Sequence, residues 1–183
     1  MWKIIKQTLS AITAFSGKAI SLLTVLMVIA MFVSALLSNL FKINFIWLQE
    51  SVTWLHAAVF MIGAAYTLQA NEHVRVDIFY QRFSTKTRAI IDLFGTLCFL
   101  IPVSVFLLVT SLKYVTLSWR LSEASAEAGG LSGVYLLKSL VLVLPVLLII
   151  EGCHQLMLKI EIIKANGQSA DTDQQANQTG AEL

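Results

Sequence analysis

The sequence predicts an all-α integral membrane protein with four transmembrane helices and short interfacial amphipathic segments. Hydrophobic residues make up 57% of its 183 residues and charged residues only 13%, with a mean hydropathy of +0.76. Its long apolar stretches lie at 19–41, 51–71, 93–112 and 131–158, and only the last contains charged residues, Lys138 and Glu151. Each is long enough to cross a bilayer as a helix, which takes about 20 mostly apolar residues. The stretches do not alternate with period two, so a transmembrane β-barrel is not expected.

These stretches define the expected organisation of the chain. We place the spans at 19–41, 47–70, 89–115 and 133–158, within a four-helix domain at 18–160. The first stretch follows Lys3 and Lys6, as in a signal peptide, but it exceeds the roughly 7–15 apolar residues of such a segment. We therefore interpret it as a retained span.

The distribution of basic residues predicts that both termini are cytoplasmic, because cytoplasmic loops carry the excess of Lys and Arg. The amino segment, the connection after the second span and the tail carry these side chains: Lys3, Lys6, Lys18, Arg75, Arg82, Lys86, Arg88, Lys159 and Lys164. Trp47, Trp54 and Trp119 then belong to an aromatic belt on the outer side.

Three segments are not expected to span. Residues 1–17 have a helical amphipathic pattern and are predicted to lie in the cytoplasmic interface. Residues 71–88 mix apolar with charged side chains and are expected to lie against the membrane or a partner. Residues 161–183 are rich in Gln, Asn, Ala and Thr and predict a disordered cytoplasmic tail.

Few side chains could carry chemistry. Glu50 lies at the outer entrance of the second span, between Trp47 and Trp54, where an ionisable group is a functional candidate. The alternative, which we favour, is an interfacial carboxylate that reaches water or pairs with a cation on a neighbouring helix. His56 and His154 lie at different depths, which argues against a bis-histidine haem. No cofactor or metal site is expected, and the formal net charge of +2 is too small to indicate nucleic acid.

Other residues predict helix contacts. Asp92 follows Arg88 at the (i, i+4) spacing of an ion pair, and Lys138 can snorkel from a span end. Small side chains on the second span allow close helix approach, and Pro102 and Pro145 predict mild kinks. The outer connection at 122–133 contains glycines that permit tight turns. We interpret it as a solvated loop, with a contact surface as the alternative.

Two motifs resemble those of a known family. His73-Val74-Arg75-Val76-Asp77 directly after the second span, and Gly129-Gly130-Leu131 before an aromatic residue and Lys138, resemble the small membrane subunit (DctQ-like) of tripartite ATP-independent periplasmic (TRAP) transporters. The resemblance covers about residues 20–159. The length of the chain, the number of spans and the Trp and Glu residues at the entrance to the second span also match the family. Ser132 departs from the proline expected there in many relatives.

The resemblance implies a location in the bacterial inner membrane and a scaffold function. Such a subunit pairs with a large, DctM-like permease subunit, which carries the substrate and sodium sites, while a periplasmic binding protein delivers an organic acid, a carboxylate or sulfonate. Membrane lipids are further expected partners. Glu50, Trp47 and Trp54 would mark the outer edge, and Arg75 and Asp77 would anchor the cytoplasmic connection. No enzyme activity is implied.

A different class of function stays open at this point. A self-sufficient small oligomeric transporter could use Glu50 as its proton-coupling carboxylate. Coupling sites in transporters lie near the bilayer midplane, whereas Glu50 is at the edge of its span. Transport by the chain alone, lost in Glu50→Gln, would distinguish this alternative from the scaffold.

Overall fold

The structure is a computed structural model that describes residues 2–70 and 83–180. The described chain is helical, without strands, and four of its helices are long and apolar enough to span a membrane. These spans are Gly17–Leu40, Ile46–Gln69, Thr85–Arg120 and Val134–Ile163. The predicted fold class is thereby confirmed, and each predicted span overlaps one of these helices. The third and fourth helices extend beyond their predicted ends because polar residues continue a helix outside the hydrocarbon, where water satisfies their side chains.

Two helices form the first half of the chain. Helix α1 comprises Trp2–Leu40, and α2 comprises Ile46–Gln69. The predicted interfacial segment is therefore helical from residue 2 and continuous with the first span, while its position in the interface stays a prediction. Between the helices, Lys42 adopts a φ of 56° and the amide of Ile43 donates to the carbonyl of Leu37 at 3.1 Å. This turn closes α1 and reverses the chain.

The third span is one long helix interrupted by a wider turn. Helix α3, Thr85–Gly95, begins after Ser84, whose hydroxyl accepts a hydrogen bond from the amide of Thr87 at 3.2 Å. A π-helical turn, Thr96–Leu100, leads into α4, Ile101–Arg120. The π turn ends two residues before Pro102, which has no amide hydrogen to donate to the preceding turn. The widened turn accommodates this missing bond, while a kink at Pro102 stays a prediction.

The last helix, α5, comprises Val134–Gly180 and has Pro145 inside it. It runs past residue 160 into the polar segment for which the sequence predicts disorder. Disorder of residues 161–183 stays a prediction. A kink at Pro145 also stays a prediction.

The last helix is the centre of the packing. Helix α5 packs against α2, α3, the π turn and α4 and also against α1, which packs mainly on α2. Where α2 meets its neighbours, Ala65 is fully buried, and a Cβ on Gly17 would lie 2.5 Å from the ring of Tyr66. Small residues thus allow the close helix approach that the composition of the second span predicts.

Candidate functional site

The polar contacts of the spans are concentrated near their ends and at one buried cluster. We call the end that carries the connections 41–45 and 121–133 the loop end, and the other the termini end. At the loop end, Glu50 on α2 accepts a hydrogen bond from the hydroxyl of Ser125 and another, at 2.6 Å, from the amide of Leu131. The carboxylate therefore holds both sides of the 121–133 loop against the start of α2.

The loop backbone is shaped to admit this carboxylate. Gly129 and Gly133 adopt positive φ angles of 81° and 126°, as the predicted tight turns require. At Gly130, an added Cβ would lie 2.8 Å from Glu50 Oε1. A side chain at this position would displace the carboxylate, so the absence of a Cβ is a condition for the contact.

A second carboxylate fixes the other end of the same loop. Glu123 accepts from Lys138 Nζ at 2.5 Å and from the hydroxyl of Ser118 at 2.6 Å. These hydrogen bonds hold the pKa of Glu123 below its ordinary value, and the one from Lys138 has the largest effect. Lys138 also lies 4.3 Å from the ring centre of Tyr114. We call Glu50, Ser125, Leu131, Glu123 and Lys138 the loop clamp.

The predicted tryptophans frame the loop end. Trp47 is about half exposed, with its ring 6.0 Å from that of Phe45. Trp54 lies against the loop, since a Cβ on Gly133 would be 3.7 Å from its indole. Trp119 donates to the hydroxyl of Ser139 at 2.9 Å. Amphipathic rings near the end of a span suit a membrane–water boundary.

At the termini end, an ion pair joins two spans. Asp92 on α3 contacts Lys159 on α5, with 2.6 Å between Oδ2 and Nζ. Arg88 Nε donates to the carbonyl of Phe83 at 2.9 Å, across the start of α3. The Arg88–Asp92 pair that the spacing suggests stays a prediction. Arg75 and Asp77 lie outside the described residues.

Sequence reasoning missed a buried polar cluster on α5. The side chain of Glu151 is fully buried and accepts from Gln155 Nε2 at 2.9 Å. His154 Nδ1 lies 3.1 Å from the same carboxylate, and this histidine is 7% exposed. The signal in the sequence that could have revealed the cluster is the carboxylate of Glu151 inside an apolar span. Such a group is costly within a membrane unless it has hydrogen-bond or ion-pair partners.

Gly152 packs the buried cluster against the third span. A Cβ at Gly152 would lie 3.1 Å from Leu100 Cδ2 and 3.6 Å from Thr96 Cγ2, at the two ends of the π turn. His56, by contrast, is exposed on α2. The two histidines are therefore in different surroundings. Among the described residues, no group of three His, Cys, Asp or Glu side chains could hold a metal ion.

These contacts define a class of protein. Carboxylates, amides and cations in the described ranges link the spans to one another and to the connecting loop. The chain is a multi-pass membrane protein with interhelical polar contacts at the loop clamp and at Asp92–Lys159.

Comparison with protein-family models then identifies the family. Residues 11–161 match the model described as "Tripartite ATP-independent periplasmic transporters, DctQ component". The chain belongs to this family, and it is the small permease subunit of a TRAP transporter. No curated protein and no solved structure matches it. The resemblance inferred from the two motifs is confirmed.

Proposed function

We propose that this subunit is a scaffold for a large, DctM-like membrane subunit in sodium-coupled uptake of an organic acid. Substrate and sodium would bind the large subunit, and a periplasmic binding protein would deliver the carboxylate or sulfonate. The family assignment supports a component of a tripartite system. The main support for a scaffold function is the set of polar contacts at the loop clamp and at Asp92–Lys159, which join the helices to one another and to the 121–133 loop.

The arrangement of the spans supports a stationary part. Helix α5 contacts every other span and so holds the four spans together. The spans still present apolar faces to their surroundings, with exposed side chains such as Phe60, Phe99 and Phe106. A membrane partner can bury such faces by close packing, because lipid tails offer no competing hydrophobic gain.

The surroundings of Glu50 favour the scaffold over autonomous proton-coupled transport. Both carboxylate oxygens accept hydrogen bonds from the 121–133 loop. Such bonds stabilise a fixed, ionised acceptor, whereas a coupling carboxylate must exchange protons during the cycle. We therefore assign Glu50 to holding the loop.

Co-purification with the large subunit tests the scaffold. The tagged chain, expressed with that permease, should yield a one-to-one complex in mild detergent. Uptake of the acid in proteoliposomes should then need both subunits, the binding protein and a sodium gradient. A stable homo-oligomer that transports by itself would contradict the proposal, and loss of that transport in Glu50→Gln would support the alternative.

We further propose that both termini face the cytoplasm and that the loop end faces the periplasm of a bacterial inner membrane. An impermeant maleimide should label Glu127→Cys in intact spheroplasts and label Thr172→Cys only after permeabilisation. The reverse labelling pattern would contradict this orientation. Cys98 and Cys153 both lie within membrane-spanning helices, and the unsubstituted chain is the control for their labelling.

A further inference from the structure

We propose that the outer half of α4 carries a binding site for an anionic phospholipid, with Lys113 and Arg120 as its phosphate ligands. The two cations border a groove of about 570 Å³, together with Tyr114, Thr116 and Leu117. None of these side chains is acidic. The groove therefore combines two positive charges with an aromatic ring and aliphatic surface.

The cations are available for an external anion. Ion pairs in the part of the chain that the structure describes include Lys138 with Glu123, His154 with Glu151 and Lys159 with Asp92. Lys113 and Arg120 take part in none of these pairs, and both are exposed. Of the basic side chains around the loop clamp, Lys138 is neutralised by Glu123, and the groove keeps its charge.

The spacing of the cations matches the thickness of a headgroup layer. Lys113 and Arg120 are seven residues apart on one helix, which is close to two turns and about 10 Å along the axis. A headgroup region is about 5–8 Å thick on each side of the hydrocarbon. Side chains on a helix lean towards its N-terminus, so the guanidinium of Arg120 lies over the turn towards Lys113. The long side chain of Lys113 can extend in the opposite direction, towards the interface, which shortens the distance between the two charges.

The same face of α4 continues as apolar surface. Phe106, Val109 and Leu117 share the stripe of Lys113 and Arg120, at helical spacings of three, four and seven residues, and each is more than half exposed. An acyl chain attached to a phosphate between the cations would lie along Phe106 and Val109. A soluble anion would use the charges alone and leave this continuation unused, which is why we commit to a lipid.

Neighbouring contacts hold one wall of the groove in place. The ring of Tyr114 lies 4.3 Å from Lys138 Nζ, and Lys138 is itself bound by Glu123. Next to the groove, Trp119 is fixed by its hydrogen bond to Ser139 and lies 4.6 Å, between ring centres, from Tyr135. The groove is thus attached to the loop clamp, and its shape depends on the fold.

Native mass spectrometry of the full chain tests the proposal. The purified protein would be titrated with phosphatidylglycerol and, separately, with phosphatidylcholine, as wild type and as Lys113→Gln/Arg120→Gln. Each direct hydrogen bond from a cation to the phosphate contributes about 1 kcal/mol, so the double variant should bind phosphatidylglycerol about 30-fold more weakly. Binding of phosphatidylcholine should not change.

Two matched variants make the result specific. Lys42→Gln/Lys86→Gln removes the same charge from exposed positions outside the groove and should leave phosphatidylglycerol binding within about twofold of wild type. Lys113→Arg/Arg120→Lys keeps the charge and should retain binding. Equal losses in both charge-removing variants would show that net charge alone attracts the lipid and would overturn the site.

Three other outcomes would overturn it as well. An equal loss of both lipids would show that Lys113 and Arg120 do not distinguish the anionic headgroup from a zwitterionic one. Displacement of phosphatidylglycerol by equimolar inorganic phosphate would identify a site for a soluble anion. Unchanged lipid binding with reduced recovery of the large subunit would show that Lys113 and Arg120 contact a partner protein.

Discussion

Replacement of Glu151 tests whether the buried cluster on α5 stabilises the fold. Its carboxylate has no exposed surface and is within hydrogen-bond distance of Gln155 and His154. Hydrogen bonds between side chains in membrane proteins contribute about 0.6 kcal/mol on average and about 1.7 kcal/mol at most. Two such bonds therefore account for about 1–3 kcal/mol, and Glu151→Ala also leaves a cavity and removes the acceptor of the buried His154 and the half-buried Gln155. Truncation of a large buried side chain to alanine costs about 2–5 kcal/mol, and the lost hydrogen bonds place our expectation for Glu151→Ala at about 3–5 kcal/mol.

Glu151→Gln separates the contributions to this loss. Glutamine keeps the volume and one acceptor oxygen, so we expect it to lower the free energy of unfolding by only about 1 kcal/mol. The assay is equilibrium unfolding of the purified chain in mixed micelles with increasing SDS, followed by circular dichroism. Glu127→Ala, which removes an exposed carboxylate from the loop, is the control and should change the free energy of unfolding by less than about 0.5 kcal/mol. If Glu151→Ala were as stable as this control, the packing argument for the cluster would be refuted.

Three further predictions concern the other contacts. Gly152→Val should destabilise the chain by about 1–3 kcal/mol in the same assay, because its branched side chain meets Leu100 at the π turn. Charge reversal of Asp92 and Lys159 together should restore part of the stability that either reversal removes, with a coupling energy of about 1 kcal/mol in a double-mutant cycle. Glu123→Gln should lower the melting temperature at neutral pH, and the difference from wild type should disappear on acidification. The lowered pKa of Glu123 means that its stabilisation is present above the ordinary pKa of glutamate and is lost as pH falls through the folded-state pKa.

Each of these predictions has its own control. Gly95→Val places the same side chain where no atom lies within 4 Å of the added Cβ, so a loss equal to that of Gly152→Val would implicate helix propensity instead of the contact. Strictly additive effects at Asp92 and Lys159 would mean that their contact contributes no coupling. A melting-temperature difference for Glu123→Gln that persisted at low pH would show that the ionised carboxylate is not its cause.

Local sequence properties were sufficient for the spans. Partition of a segment into a bilayer depends on its own length and apolar content, and both can be counted along the chain. The same is true of the tight turns at Gly129 and Gly133, because a positive φ is a property of one residue. Glu50 and Lys138 also stand out locally, as ionisable groups at span ends.

Partners could not be predicted in this way. The helical spacing predicts Arg88 as a partner of Asp92, but it gives no sign of the ion pair that Asp92 forms with Lys159 on another span. Glu50 contacts Ser125 and Leu131, which are 75 and 81 positions away. Such pairs depend on which helices are adjacent and how each is rotated, and neither is a property of a single segment.

The sequence by itself determined that this chain crosses the membrane four times and where its ionisable side chains enter the spans. Only the tertiary structure decided that α5 contacts every other span, that its Glu151 is enclosed and that its Lys138 holds the loop. The physical reason is that transfer into the bilayer is summed residue by residue along one helix, whereas polar contacts inside it need two helices at a matched height and rotation.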